Sequence, residues 1–328
     1  MASTRWAERA IRPAESRLAD PRGSEGSARV ELPGGRRAGA HLPLSLGLLR
    51  VAERAAEIGA SALQLFSDNP TAWRRRDAPP PDAATFRARV AELNIAPVAI
   101  HASYLVNLAG PDKELFARSV HVLQSELAVA PELGASYVNV HAGSHRGSGA
   151  EVGVARLVEG LERSLADSAA AGTVPTIVVE NSSGGGDTIA STIEEMAAVL
   201  DAAGARGIDG RLGVCLDTAH LWGAGYDIST PRGIDSLLLE FDARIGLSRL
   251  LMVHFNDSHS PLGSRHDRHA NIGDGRIGTA GLAHLLCHPA LDHVAFLLET
   301  PGMEDGFDLV NMTRIADLAA GRELSPGA

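Results

Sequence analysis

Eight short apolar runs, each ending on or beside a polar residue and each followed by a stretch of helical period, constrain this chain more than any other feature. The runs occupy residues 38–42, 62–66, 97–102, 137–141, 176–180, 212–217, 250–255 and 295–299. Val, Ile, Leu and aromatic residues dominate most of them, as buried parallel strands require, and residues 38–42 are the weakest of the set. Between the runs the period changes. Apolar side chains fall at Leu48, Val51, Ala52, Ala55 and Ile58, and again at Phe116, Val120, Leu123 and Leu127, with Gly134 following as a stop. Ser191 and Glu194 have capping-box spacing ahead of Met196, Val199 and Leu200, and Pro231 stands where a helix opens. Units alternating in this way predict a parallel sheet with crossover helices, and eight in succession predict a closed (β/α)8 TIM barrel of the α/β class. No Gly-x-Gly-x-x-Gly turn follows the first run, which argues against an open dinucleotide-binding sheet.

A chain of 328 residues, 45% hydrophobic, can bury such a barrel as a single domain. The barrel is expected over residues 36–320, between a flexible N-terminal tail (1–35, with a short helix over 5–18) and a flexible C-terminal tail (321–328). The net charge of -10 excludes general attraction to nucleic acid or to an anionic membrane, so an anionic substrate must be drawn by local charge. Two isolated thiols, Cys215 and Cys287, make neither a disulfide framework nor a thiolate zinc site. The first twenty residues hold no secretory apolar core and no run is long enough to span a bilayer, so a cytoplasmic protein is expected.

The chemistry is expected at the strand ends. The runs finish at or next to His41, His101, His141, Glu180, Asp217, His254 and Glu299; His220 follows three residues after Asp217, and Asp267 and His269 form an Asp-x-His pair after the seventh run. In a barrel these positions ring the C-terminal mouth. One such histidine is an ordinary loop starter, but so many ionisable groups aimed into one volume need compensation, and metal ions supply it. Imidazole and carboxylate without thiolate suit zinc, with manganese or iron as alternatives. Nine ligands are proposed: His101, His141, Glu180, Asp217, His220, His254, Asp267, His269 and Glu299. At three or four protein ligands per ion they fit three ions with a bridging carboxylate. The four carboxylates would then be outweighed by the three divalent cations, leaving a locally positive mouth suited to phosphate.

The segments HASYLVNL at His101, NVHAGSH at Asn139, VVENSSGGG at Val178, GVCLDTAHLWGAGYD at Gly213, HFNDS at His254, GSRHDRH at Gly263, IGDGRIG at Ile272 and LLET at Leu297 carry a resemblance. In this order, over about two hundred residues, the chain resembles the endonuclease IV family of apurinic/apyrimidinic endonucleases. The resemblance implies three zinc ions and hydrolysis of the phosphodiester 5′ to abasic sites in double-stranded DNA, a base excision repair reaction without a side-chain nucleophile. Residue by residue, it implies that His101 and His141 hold one ion, that Asp217, His254 and Glu299 hold a second, that Glu180 bridges these two, and that His220, Asp267 and His269 hold the third. Glu180, Asp217 and Glu299 are the catalytic carboxylates on this reading. Tyr104 resembles a lesion-recognition tyrosine, and His41, Arg265 and Arg276 are the other candidate substrate contacts. Asn181, Asn256 and Asp257 are candidate supports. A monomer is expected.

The chain departs from the family at two places. Thr71 and Ala72 stand where the family places an Arg-Gln wedge, and 41–47 lacks the serine and paired glycines expected of the first strand. A wedge needs bulk to fill the lost base's place, so Arg74, Arg75 and Arg76 are alternative phosphate contacts. Two other readings stand beside the nuclease: a sugar isomerase or epimerase on the same barrel, and a relative that binds DNA or metal without catalysis. The Asp267-x-His269 pair favours the nuclease, because it builds a third site that an isomerase does not need.

Overall fold

The computed structural model describes residues 29–166 and 175–325. The barrel strands are β1 (Arg37–His41), β2 (Ala62–Leu65), β3 (Val98–His101), β4 (Tyr137–His141), β5 (Thr176–Glu180), β6 (Leu212–Asp217) and β7 (Leu250–His254). After β7 comes an antiparallel ribbon, β8 (Asp257–Ser258) with β9 (His269–Ala270), and β10 (Ala295–Leu298) then closes the barrel by pairing in parallel with both β7 and β1. Outside run α1 (Leu48–Glu57), α2 (Ala83–Glu92), α3 (Lys113–Val129), α4 (Ala150–Ala166), α5 (Ile193–Gly204), α6 (Thr218–Ala224), α7 (Pro231–Arg244), α8 (Thr279–Cys287) and α9 (Phe307–Ala319). The expected eight-stranded parallel barrel is the observed fold.

Strand alternation decides where the chemistry sits. Successive side chains face opposite sides of a sheet, so every second residue points to the barrel axis. Ala62, Ala99, Val178, Cys215, Met252 and Leu297 belong to a small inner core. Two residues further along stand Gln64, His101, Glu180, Asp217 and His254 on the same strands and Glu299 just past the end of β10. The apolar plug is thus overlain by a polar layer on the same inward face. A larger core, including Phe86, Phe241, Phe255 and Phe296, fills the space between strands and helices.

The weakest strand by sequence depends on a glycine. A Cβ at Gly39 would lie 1.8 Å from the carbonyl oxygen of Ala62, so the close approach of β1 to β2 requires glycine there. Helix starts follow local chemistry: Asp112 accepts from the Glu114 and Leu115 N–H groups at 2.9 Å, and Thr230 with Pro231 opens α7. The expected capping box of α5 is shifted by one. Thr192 is the cap and accepts from Glu195 N–H, while the Glu195 carboxylate takes the Ser191 N–H, because Thr192 is the last residue with extended backbone.

Residues 29–35, assigned from sequence to the tail, lie against the barrel: Val30 N–H bonds to Gly59 O at 2.9 Å, and Val30 and Leu32 are buried. Ser325 is tied to Asp317 at 2.7 Å and 2.9 Å. The expected helix over 5–18 lies outside the described residues. Among the described residues no helix is long and apolar enough to cross a membrane.

Candidate metal centre

All nine side chains singled out as ligands converge at the barrel mouth. His101 Nε2 and His141 Nε2 each lie 3.7 Å from Glu180 Oε2. His254 Nδ1 is 3.3 Å from Glu180 Oε1 and 3.2 Å from Glu299 Oε2. His269 Nε2 is 3.3 Å from Asp217 Oδ2 and 3.2 Å from Asp267 Oδ1, and His220 Nε2 is 3.2 Å from Asp267 Oδ2. Three sets of donors lie close enough to share an ion: His101, His141 and Glu180; Asp217, His220 and His269; and Glu180, Asp217, His254 and Glu299. Glu180 belongs to two of them, as a bridging carboxylate would. Asp217 also belongs to two and joins His220 and His269, where the resemblance implied Asp267 alone. Asp267 is half exposed and meets both histidines from the solvent side.

The protein sets which ring nitrogen of each histidine is free. His101 Nδ1 lies 2.7 Å from Ala102 O, His220 Nδ1 2.9 Å from Asn181 O, and His269 Nδ1 2.9 Å from Glu299 O. A carbonyl only accepts, so in the neutral ring each Nδ1 carries the hydrogen and each Nε2 keeps its lone pair. His254 is reversed: its Nε2 lies 3.1 Å from Gln64 Oε1, which leaves Nδ1 free. The Gln64 amide orientation is settled from its other end, because Nε2 donates to Glu299 Oε1 at 2.5 Å. The carboxylates are oriented too. Asn139 Nδ2 donates to Glu180 Oε2 at 2.6 Å, Asn256 Nδ2 to Asp217 Oδ2 at 2.7 Å, and Asn181 Oδ1 accepts Asp217 N–H at 2.7 Å.

These orientations leave lone pairs facing lone pairs. Glu180 Oε1, His254 Nδ1 and His269 Nε2 are buried without a hydrogen-bond partner. Such a cluster needs positive charge in its midst, and the titration behaviour says the same. Burial pushes Glu180 up, but the surrounding histidines outweigh it and hold it well below the carboxylate range. Burial lowers His220 and His269, yet the carboxylates around them hold both well above the ordinary imidazole value. Divalent ions fit this donor set, since they supply the positive charge that protons otherwise bring.

Above the donors opens a cavity of about 930 Å3, lined by His41, Phe66, Tyr104, Arg76, Met303 and six of the nine donors (His101, His141, His220, Asp267, His269 and Glu299) among others. Its rim is aromatic: Tyr104 is 64% exposed and meets Phe66 edge-on at 5.1 Å.

The comparisons with known proteins identify the fold and the family. Residues 52–323 match the family model for the xylose isomerase-like TIM barrel. A "Probable endonuclease 4" of Methanoculleus marisnigri is 38% identical over 283 residues, covering 86% of this chain and 98% of that protein. The crystal structure of endonuclease IV from Thermus thermophilus is 37% identical, covers 83% of this chain and 96% of that one, and superposes with a TM-score of 0.72. The chain belongs to the endonuclease IV family. Membership places it among the hydrolases that cut phosphodiester bonds within nucleic acid chains. A D-tagatose 3-epimerase-like protein also shares the barrel, with a TM-score of 0.59 over 87% of this chain and 97% of that one, but at 16% identity the likeness is one of fold alone.

Seen as a member of the endonuclease IV family, the chain divides its candidate DNA contacts into two groups. Tyr104 and His41 line the mouth, although His41 is turned inward, its Nδ1 3.1 Å from Glu299 Oε1. Arg265 and Arg276 are exposed and stand outside the residues that line the cavity. Arg265 has positive φ, and its N–H bonds to Gly223 O at 2.9 Å. The loop of Arg276 is pinned by Asp257, whose buried carboxylate accepts N–H bonds from Ser258, Gly273, Gly275 and Ile277. Arg75 is not available to phosphate. It is buried, donates to Asn69 O and Ala72 O at 3.3 and 2.7 Å, and faces Glu126 at 3.7 Å. Arg76 alone of the three arginines lines the mouth. Sequence reading missed Gln64, Phe66 and Asn139. Gln64 and Asn139 lie two residues from another inward-facing position on their strands, and Phe66 continues the spacing just past β2, so the period-two pattern that marks the ligands also marks them.

Proposed function

We propose that this chain is a zinc-dependent endodeoxyribonuclease that hydrolyses the phosphodiester 5′ to abasic sites in duplex DNA, in base excision repair. The relatives' names supply the endonuclease class. The observation that carries the reading further is the convergence of nine imidazole and carboxylate donors, with lone pairs facing one another, beneath an open cavity at the barrel mouth. Imidazole and carboxylate donors without thiolate favour zinc, with manganese or iron as substitutes. His101, His141 and Glu180 would hold one ion; Glu180, Asp217, His254 and Glu299 a second; His220, His269 and Asp267, together with Asp217, a third. Bound there, such ions would lower the pKa of water and neutralise charge on the phosphoryl group.

The chain's own residues do the rest. Glu180, Asp217 and Glu299 stay ionised across the working pH range, held low by neighbouring histidines against the pull of burial. Asn139, Asn256 and Gln64 each donate an amide hydrogen to one carboxylate oxygen, which fixes the orientation of Glu180, Asp217 and Glu299 among the histidines. Tyr104 and Phe66 offer an aromatic edge to the nucleotide at the lesion. One chain supplies every donor, so a monomer suffices.

The test is incision of a duplex oligonucleotide carrying a single tetrahydrofuran abasic analogue by metal-loaded protein, with a His269→Ala, Glu180→Gln double variant as control. Cleavage 5′ to the analogue, absent in the variant, is expected. Intact substrate, with metal bound and the fold retained, would overturn the abasic-site assignment and leave a phosphodiesterase of another specificity.

A further inference from the structure

A second group of metal-ligating side chains stands apart from the mouth, on the outer wall between α7 and α8. The buried faces of these helices are Ile234, Leu237, Leu238 and Phe241 on α7 and Leu282, Leu285 and Leu286 on α8. Asp235 and His284 fall between these positions and are turned outward, and His288 ends α8 one turn after His284. Histidines four apart on a helix lie on one face, the spacing of a two-imidazole chelate. Asp235 supplies the third group from the neighbouring helix. His284 Nε2 is 2.6 Å from Asp235 Oδ1, His288 Nε2 is 3.6 Å from the same oxygen, and the two rings stand 5.4 Å apart at 79°.

We propose that Asp235, His284 and His288 form a separate divalent-metal site that takes zinc or another late first-row ion and ties α7 to α8. One donor atom from each residue lies within 4.8 Å of the others. Two neutral imidazoles and one carboxylate match the ligand preference of zinc, nickel and copper, and three protein ligands leave further positions for water. The ion is therefore exchangeable. Partial exposure of all three side chains gives it direct access from solvent.

The surroundings permit a cation. Arg36, which donates to His288 O and Pro33 O at 2.6 and 2.7 Å, is held 2.6 Å from Asp292, so its charge is already matched. The His288 ring accepts the Ala290 N–H at Nδ1 over 3.3 Å. Coordination through Nε2 places the ring hydrogen on Nδ1 and gives up that long contact, and the ion takes the place of the proton that His284 Nε2 and Asp235 Oδ1 share at 2.6 Å. No residue of this site belongs to the mouth cluster, so the two fill independently.

The experiment counts metal in full-length protein whose mouth sites are loaded. Wild type and a His284→Ala, His288→Ala double variant are equilibrated with buffered micromolar zinc, and zinc per chain is measured by elemental analysis. One ion fewer is expected in the variant, with cleavage of abasic DNA unchanged. Asp235→Asn, which preserves shape, should weaken this extra ion at least about tenfold, since even indirect partners of a metal site cost that much. Zinc added beyond saturation of the mouth should raise the melting temperature of wild type and not of the double variant. Equal zinc in both proteins, with equal thermal response, would overturn the site and leave Asp235 as an ion-pair partner of two histidines.

Discussion

Gln64 Oε1 lies 3.1 Å from His254 Nε2, on the only one of the oriented mouth histidines whose free nitrogen is Nδ1. The other three are set by backbone carbonyls, which no substitution removes. His254 relies on a side chain from the opposite half of the chain. Gln64→Ala therefore frees the ring to adopt the wrong tautomer and also removes one of the two hydrogen-bond contacts on Glu299 Oε1, leaving His41 alone on it. Partners of this kind contribute about 10–100-fold to metal affinity. Competition with a chromophoric chelator should show that loss for Gln64→Ala, with helix content unchanged by circular dichroism. Metal affinity equal to wild type would show that Gln64 is only packing.

Much of this site was legible because one rule governs both fold and chemistry. The period of two that makes Ala99, Val178 and Cys215 inner core makes His101, Glu180 and Asp217 mouth residues, and charged side chains at the ends of apolar runs are conspicuous. Gln64 and Asn139 obey the same rule but carry no charge, so they read as ordinary polar interruptions of a strand. Arg75 shows the opposite failure. Three arginines in a row look like a solvated basic patch, and only the folded loop shows that the middle one turns inward to satisfy carbonyls of its own turn. Lateral pairing between distant segments, such as Asp235 with His284, leaves no local trace at all.

Glu126 gives a pH dependence of defined sign. Its carboxyl is almost fully buried beneath the loop that carries Thr71 and Ala72, bonded to Ser67 and facing Arg75. Burial pushes it above the ordinary glutamate value despite those two partners. A folded-state pKa above the unfolded value gives stability that is complete below the unfolded pKa, near 4.5, and is lost as pH rises through the folded pKa. Urea unfolding of wild type and Glu126→Gln should thus show wild type losing ground to the variant as pH rises from about 4 toward 7. A gap that is constant, or that widens in favour of wild type with pH, would contradict the burial argument.

Gly39 tests barrel closure. A methyl group there meets Ala62 O at 1.8 Å, and both atoms belong to paired strands with no flexible side chain to yield. Gly39→Ala should cost about 3 kcal/mol or more in urea unfolding, beyond the ordinary range for one added methyl in a core. Ala40→Gly, on the opposite face of the same strand, removes a methyl without a clash and should cost less. Equal losses for the two variants would mean that β1 tolerates separation from β2.

Removal of metal should be read in stability as well as in activity. With the ions absent, buried carboxylates and imidazoles face one another with unpaired atoms at Glu180, His254 and His269. Ligand binding to the folded state stabilises by about 4 kcal/mol at a thousandfold excess over Kd for one ion. For a chain of this size that corresponds to a fall in melting temperature on the order of 10 °C when a chelator strips the mouth. The His269→Ala, Glu180→Gln variant lacks two of the donors and should show a smaller fall, whereas Tyr104→Ala, at the exposed rim, should show the full one. A chelator that abolishes cleavage without moving the melting temperature of wild type would mean that the ions enter only with DNA, and that the orphaned donors are held apart by the barrel itself.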